Sequence, residues 1–207
     1  ASGSVVTTTD GATLQLSTKN CISPKTQATC DSMAASYPEA TVTDDMENIF
    51  SDSAIQAVVI ATPAALHFEM TRKALLADKH VFVEKPLALT YGDGRRLVEL
   101  AREKEKKLFV GHVLNYHPAV IRMKEMINRG DIGRMQYIYS RRLSLGKIRL
   151  EENILWSFAP HDISIILSIA GQEPSFVDAI GNNFLHARIP DVTVSNFKFP
   201  SGIGAHI

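Results

Sequence analysis

Lys85 is the side chain in this sequence best placed to do chemistry. It follows the apolar run Val81-Phe82-Val83 and then Glu84, and it precedes Pro86. The proline restricts Lys85 to extended backbone conformations. An ammonium fixed there can polarise a hydroxyl and stabilise the oxyanion that forms. The competing reading is an exposed turn lysine. His161, in Ser157-Phe158-Ala159-Pro160-His161-Asp162, is the second candidate. Imidazole titrates near neutrality and can accept a hydroxyl proton; the alternative is a histidine that caps or packs at a helix start. Arg142, Lys147 and Arg149 form a basic group. Guanidinium binds phosphate through parallel hydrogen bonds, so this group either meets a diphosphate or is a solvated loop. Trp156 reads equally as a core anchor or a stacking platform for a ligand, and Tyr116 and His117 can simply pack at a domain junction.

The elements around Lys85 explain its placement. Ala57-Val58-Val59-Ile60-Ala61 is a continuous apolar run, the pattern of a strand buried on both faces. Thr62 suits a helix N-cap and Pro63 the first helical position. Leu66, Met70 and Ala74 lie four apart on one face of the helix that follows. A second strand is expected over residues 80–84, a helix capped by Thr90 and running to about Lys106, and a third strand over residues 108–112. Such β-α-β-α-β alternation implies parallel strands with right-handed crossovers. Ligands of such sheets bind beyond the carboxyl ends of the strands. Thr62-Pro63, Glu84-Lys85-Pro86 and the segment from His112 to Asn115 converge there.

The flanking regions read differently. Before this unit, a helix is expected from Pro24 to Ser36, closed by Pro38, and Asp44 with Glu47 fits a capping box for a short helix through Phe50. Pro118 starts a helix carrying Val120, Met123 and Ile127, with Gly130 at its end. Residues 135–143 alternate like a half-buried strand, residues 146–153 read as a polar loop, and Pro160 opens another helix closed by Gly171. Strands are expected at 175–180, 192–199 and 203–207. The fold class is therefore α/β: an incomplete Rossmann-type parallel sheet domain over residues 1–114, then an α+β domain over 115–207 with a largely antiparallel sheet.

Composition excludes several classes. Lys plus Arg and Asp plus Glu number 22 each, so no basic stripe for nucleic acid is expected. Cys21 and Cys30 are the two cysteines; their spacing fits no zinc or redox motif, no metal site is expected, and the default setting is reducing and cytoplasmic. No apolar run approaches the roughly 18 residues of a membrane span, so no membrane partner is expected. Ala1-Ser2-Gly3-Ser4 lacks the features of a signal peptide.

Ala61-Thr62-Pro63, with His67 four residues on and Glu84-Lys85-Pro86 after the next strand, resembles the Gfo/Idh/MocA oxidoreductases. Gly111-His112-Val113-Leu114-Asn115-Tyr116-His117-Pro118 is similar to that family's crossover into its second domain. The resemblance implies hydride transfer between a sugar hydroxyl carbon and NAD or NADP. It implies cofactor contacts from Ala61, Thr62, Pro63, His67, Glu84, Lys85 and Asn115, with a Lys85–Pro86 bond that is commonly cis. It further implies substrate contacts from Lys85, Arg142, Asn153 and His161, with Lys85 and His161 catalytic. Residues 145–162 resemble the branch acting on nucleotide-linked amino sugars, UDP-N-acetylhexosamine or uronate 3-dehydrogenases. The family typically associates through its second-domain sheet, so a homo-oligomer is expected. Two departures stand out. Ser157 stands where the family's catalytic helix usually has Asp, and Asp162 is an extra neighbour. Gly3 and Gly11 are the only glycines before Pro24, so the G-x-G-x-x-G turn that lets backbone approach a pyrophosphate is missing, and Cys21 stands where an acidic ribose ligand is expected. The alternative is therefore a non-catalytic relative that acts as a binding protein.

Overall fold

A computed structural model describes residues 5–7, 13–15, 21–22, 27–36, 38, 41–43, 45–143, 153–185 and 187–207. The chain forms two compact units, Ala1–Gly111 and His112–Ile207. The first is built on a Rossmann-type parallel sheet and the second on a mixed sheet.

In the first unit, β1 (Val5–Thr7) and β2 (Thr13–Gln15) form an antiparallel pair. Then come β3 (Cys21–Ile22), α1 (Gln27–Ser36) and β4 (Thr41–Val42), with β3 and β4 parallel. Pro24, proposed as the start of α1, and Asp44, proposed as a cap, lie outside the described residues. The short α2 (Glu47–Ser51) begins where the Asp45 carboxylate accepts the Glu47 N–H at 2.9 Å.

The main sheet is β5 (Ala57–Ile60), β6 (His80–Val83) and β7 (Leu108–Val110), all parallel, with Ile60 beside Val83 and Val83 beside Val110. It is crossed by α3 (Ala64–Leu76) and α4 (Tyr91–Glu103). Two successive right-handed crossovers put both helices on one face. Val58, Ile60, Val81 and Val83 point at them and form one core with Ala74, Leu75, Leu97 and Ala101. Val59 points the other way and is 72% exposed. The apolar run of β5 is thus buried on one face, not on both, because α3 and α4 cover only one side.

Two helix starts differ in kind. Thr90 caps α4 as its sequence suggests: its hydroxyl accepts the Asp93 N–H at 3.1 Å and donates to the Asp93 carboxylate at 2.8 Å, which satisfies one of the helix's orphan donors. Thr62 makes no such cap. Helix α3 begins at Ala64, Pro63 occupies the cap position, and the Thr62 hydroxyl is buried without a partner among the described residues. The buried stripe of α3 is His67, Thr71, Ala74 and Leu75, with Leu66 turned outward, because the His67 ring makes hydrogen bonds inside the unit.

The second unit opens with a short 3-10 turn (Val113–Tyr116) and α5 (Pro118–Asn128), where His117 Nδ1 accepts the Ala119 N–H at 3.2 Å. Gly130 ends it at φ 77°, a left-handed conformation that glycine adopts without steric cost. Next are β8 (Tyr137–Tyr139), α6 (Ile154–Ala170), β9 (Phe176–Asn182), β10 (Val192–Lys198) and β11 (Gly204–His206), in sheet order β8-β11-β10-β9. Two neighbour pairs are antiparallel, and β11 with β8 is parallel. Helix α6 lays Ile166 on Phe197, Phe199, Ile203 and Ala205. It starts six residues before Pro160, which lies inside it. Asn153 sets the start, its side chain accepting the Trp156 N–H at 3.1 Å. An interior proline removes one helical hydrogen bond, and here that loss does not end the helix.

Candidate active site

The carboxyl ends of β5, β6 and β7 bring together the candidate residues of the first unit. Glu84 N–H donates to Ile60 O at 2.9 Å and Gly111 N–H to Val83 O at 2.8 Å, so the parallel ladder continues one residue past each strand. Lys85 follows directly, half-buried, and its bond to Pro86 is cis. Ala61 and Pro63 are exposed at the same edge, and the Thr62 hydroxyl between them is buried, without a partner among the described residues.

Glycine at 111 has a specific consequence. A Cβ there would meet Glu84 Oε2 at 3.1 Å, Cδ at 3.2 Å and Oε1 at 3.3 Å. The Glu84 carboxylate therefore lies over the bare Cα of the neighbouring strand end. The sequence places Gly111 in the expected third strand and at the start of the crossover segment, but its role as a seat for Glu84 is legible only once the strand register is known.

His67, expected along the cofactor, is buried at 1% exposure. Its Nδ1 lies 2.6 Å from Pro86 O and its Nε2 2.8 Å from Thr62 O. Both ring nitrogens face backbone carbonyls, so the polar atoms of the ring are engaged within the protein.

These residue types would fit the nicotinamide end of a dinucleotide: a hydroxyl without a partner among the described residues just past β5, and a carboxylate and an ammonium just past β6. For the pyrophosphate end, Gly3 and Gly11 lie outside the described residues, and no described residue supplies a glycine turn.

In the second unit, His161 and Asp162 sit on α6. The buried Asp162 carboxylate accepts Ser140 Oγ and Arg142 Nε, each at 2.6 Å. Asp162, Ser140 and Arg142 line a cavity of about 570 Å³ with Phe158, Phe184 and Asp191. Asp162, noted from sequence only as an extra neighbour, is the anchor of this group, and Ser157 is buried. Asn153 uses its side-chain oxygen on the helix start. Asn115 is half-buried, with its side-chain oxygen unpartnered among the described residues. Trp156 is partly exposed on α6. Lys147 and Arg149 lie outside the described residues. Among the described residues, no group of three or more His, Cys, Asp or Glu is arranged to hold a metal, and no helix is long and apolar enough to cross a membrane.

A parallel α/β sheet with this edge is the architecture of a dinucleotide-binding oxidoreductase. Comparison with known proteins narrows the class. Residues 13–112 match the model of the oxidoreductase family with an NAD-binding Rossmann fold, Gfo/Idh/MocA. An uncharacterized oxidoreductase of Streptococcus pneumoniae is 31% identical over 156 residues, 71% of this chain and 42% of the relative. A UDP-N-acetylglucosamine 3-dehydrogenase of Acidithiobacillus ferrooxidans is 30% identical over 128 residues, 61% of this chain and 40% of the relative. The crystal structure of a probable dehydrogenase from Thermotoga maritima superposes with a TM-score of 0.81 at 26% identity, covering 91% of this chain and 60% of that one. The chain belongs to the Gfo/Idh/MocA family of NAD-binding oxidoreductases. It spans less than half the length of the two curated relatives just described.

Proposed function

We propose that this chain carries the nicotinamide-side and acid–base residues of an NAD(P)-dependent sugar dehydrogenase whose substrate is a nucleotide-linked amino sugar. The observation that carries the reading is the convergence of Thr62, Glu84 and Lys85 at the carboxyl edge of the parallel sheet, in a chain of this family. The nicotinamide, when bound, supplies the hydride acceptor. Thr62 and Glu84 offer hydrogen-bonding groups to the carboxamide and ribose, aided by Ala61, Pro63 and Asn115. Lys85 polarises the substrate hydroxyl and stabilises the developing oxyanion. His161 accepts the hydroxyl proton as hydride leaves carbon. Arg142, oriented by Asp162, binds an anionic group of the substrate through its terminal nitrogens, and Asn153 borders the same end.

Open-face positions of the second sheet place Tyr137, Tyr139, Phe176, Ile180, Val192 and Val194 in solvent. Apolar exposure of this kind marks an interaction surface, and a second copy of the chain is the occupant this reading assigns. Sedimentation of the purified chain tests that part; a monomer at all concentrations refutes it.

Titration with NADH, followed by nicotinamide fluorescence, tests the central claim. Saturable binding, then reduction of NAD with a UDP-amino sugar, is expected. Absence of binding at millimolar cofactor overturns it. That result would favour the second reading, a non-catalytic binding protein, for which the observation is the missing glycine turn before Pro24.

A further inference from the structure

We infer that His67 is a positioning residue that locks the Thr62–Pro63 turn and the Lys85–Pro86 segment into one unit. These segments belong to successive β–α connections, the first leading into α3 and the second into α4. His67 lies in the first turn of α3, fully enclosed, and its ring spans the gap between them. Nδ1 holds Pro86 O at 2.6 Å and Nε2 holds Thr62 O at 2.8 Å. Imidazole is rigid, so the two contacts fix the separation of the two carbonyls. Carbonyls only accept; a neutral ring donates to one of them at a time, and a protonated ring to both. The residue preceding Pro86 is Lys85, and the residue carrying the other carbonyl is Thr62. The brace thus sets where the ammonium and the hydroxyl stand relative to each other, without His67 touching a ligand. Its functional part rests on the reading of those two residues as nicotinamide-side groups.

The amide geometry of smaller residues separates the two contacts. Asn presents a donor near the position of Nδ1, and Gln near that of Nε2. His67→Asn is expected to keep the Pro86 contact and release the turn, His67→Gln the converse, and His67→Leu to release both. Hydrogen exchange on the whole chain reads this without cofactor. In His67→Leu, amides in 61–66 and 84–89 are expected to exchange at least tenfold faster, with 192–206 unchanged. Each polar variant is expected to protect one of the two segments. NADH affinity is expected to fall at least tenfold in His67→Leu and by less in the polar variants.

A uniform rise in exchange across the first unit, or no rise in either segment, overturns the brace. If His67→Leu does not fold, the opposite patterns of the Asn and Gln variants decide. Loosened segments with unchanged NADH affinity overturn the positioning role. If the wild-type chain fails to bind NADH, the proposed function falls, while the exchange patterns still decide whether the brace exists.

Discussion

Gly111→Ala isolates the seat of Glu84 from the stability of the sheet. The added Cβ would stand 3.1–3.3 Å from the carboxylate atoms of Glu84, so the carboxylate must withdraw by a few tenths of an ångström or swing away. Gly111 keeps its ladder bond to Val83 O, and its φ is not in the left-handed region. Alanine there gains about 0.4–1 kcal/mol by restricting the unfolded chain, which offsets a modest displacement of a half-buried side chain. Thermal stability is therefore expected to change by less than about 1 kcal/mol. Cofactor binding is expected to change more. A hydrogen bond to a charged group contributes about 1.5–3 kcal/mol, so misplacing the carboxylate weakens NADH roughly tenfold or more. The assay pairs thermal unfolding with an NADH titration in four proteins: wild type, Gly111→Ala, Glu84→Ala and the double variant. In the Glu84→Ala background the glycine substitution should have no further effect on affinity. Equal losses in both backgrounds, or wild-type affinity in Gly111→Ala, refute the seat.

Three further outcomes follow from the same geometry. Lys85→Ala should abolish turnover while leaving NADH affinity within a few-fold, read by steady-state kinetics beside the titration; equal loss of both would make Lys85 structural. Thr90→Ala should cost about 1 kcal/mol in denaturant unfolding, since the hydroxyl bonds both the N–H and the carboxylate of Asp93; an unchanged midpoint would deny the cap its role. His80 has its pKa lowered from 6.5 by burial, with Lys106 and Lys107 adding to the effect. Its folded pKa is thus below its unfolded one, so its contribution to stability is present above pH 6.5 and is lost as pH falls through the folded value. His80→Gln should flatten the stability profile across that window, measured by urea unfolding at several pH values.

The parallel sheet was legible because its signals are local. Apolar runs of four or five residues, a threonine cap and short connections suffice to order β5, α3, β6, α4 and β7. Helix α3 shows where such reading slips. Counting apolar residues selects Leu66, Met70 and Ala74, yet the buried stripe includes His67 and Thr71. A polar ring with internal carbonyl partners is stable in a core, and periodicity of hydrophobic residues cannot register it. Pro160 misleads for a related reason. It reads as a helix start, whereas Asn153, seven residues earlier, already satisfies an orphan N–H of the first turn.

The second unit hid its organising residue because the contact is non-local. Arg142 and Asp162 are twenty residues apart, and Ser140, which reaches the other carboxylate oxygen, is twenty-two residues from it. That pairing constrains what Arg142 can offer a ligand. Its Nε is committed to Asp162 at 2.6 Å, so in the proposed reading Arg142 meets the substrate's diphosphate as an oriented donor through its terminal nitrogens. A buried carboxylate with two donors is costly to strip of either. In the proposed reading, orientation of Arg142 by Asp162 fixes the angle at which it meets one phosphate of the nucleotide-linked substrate.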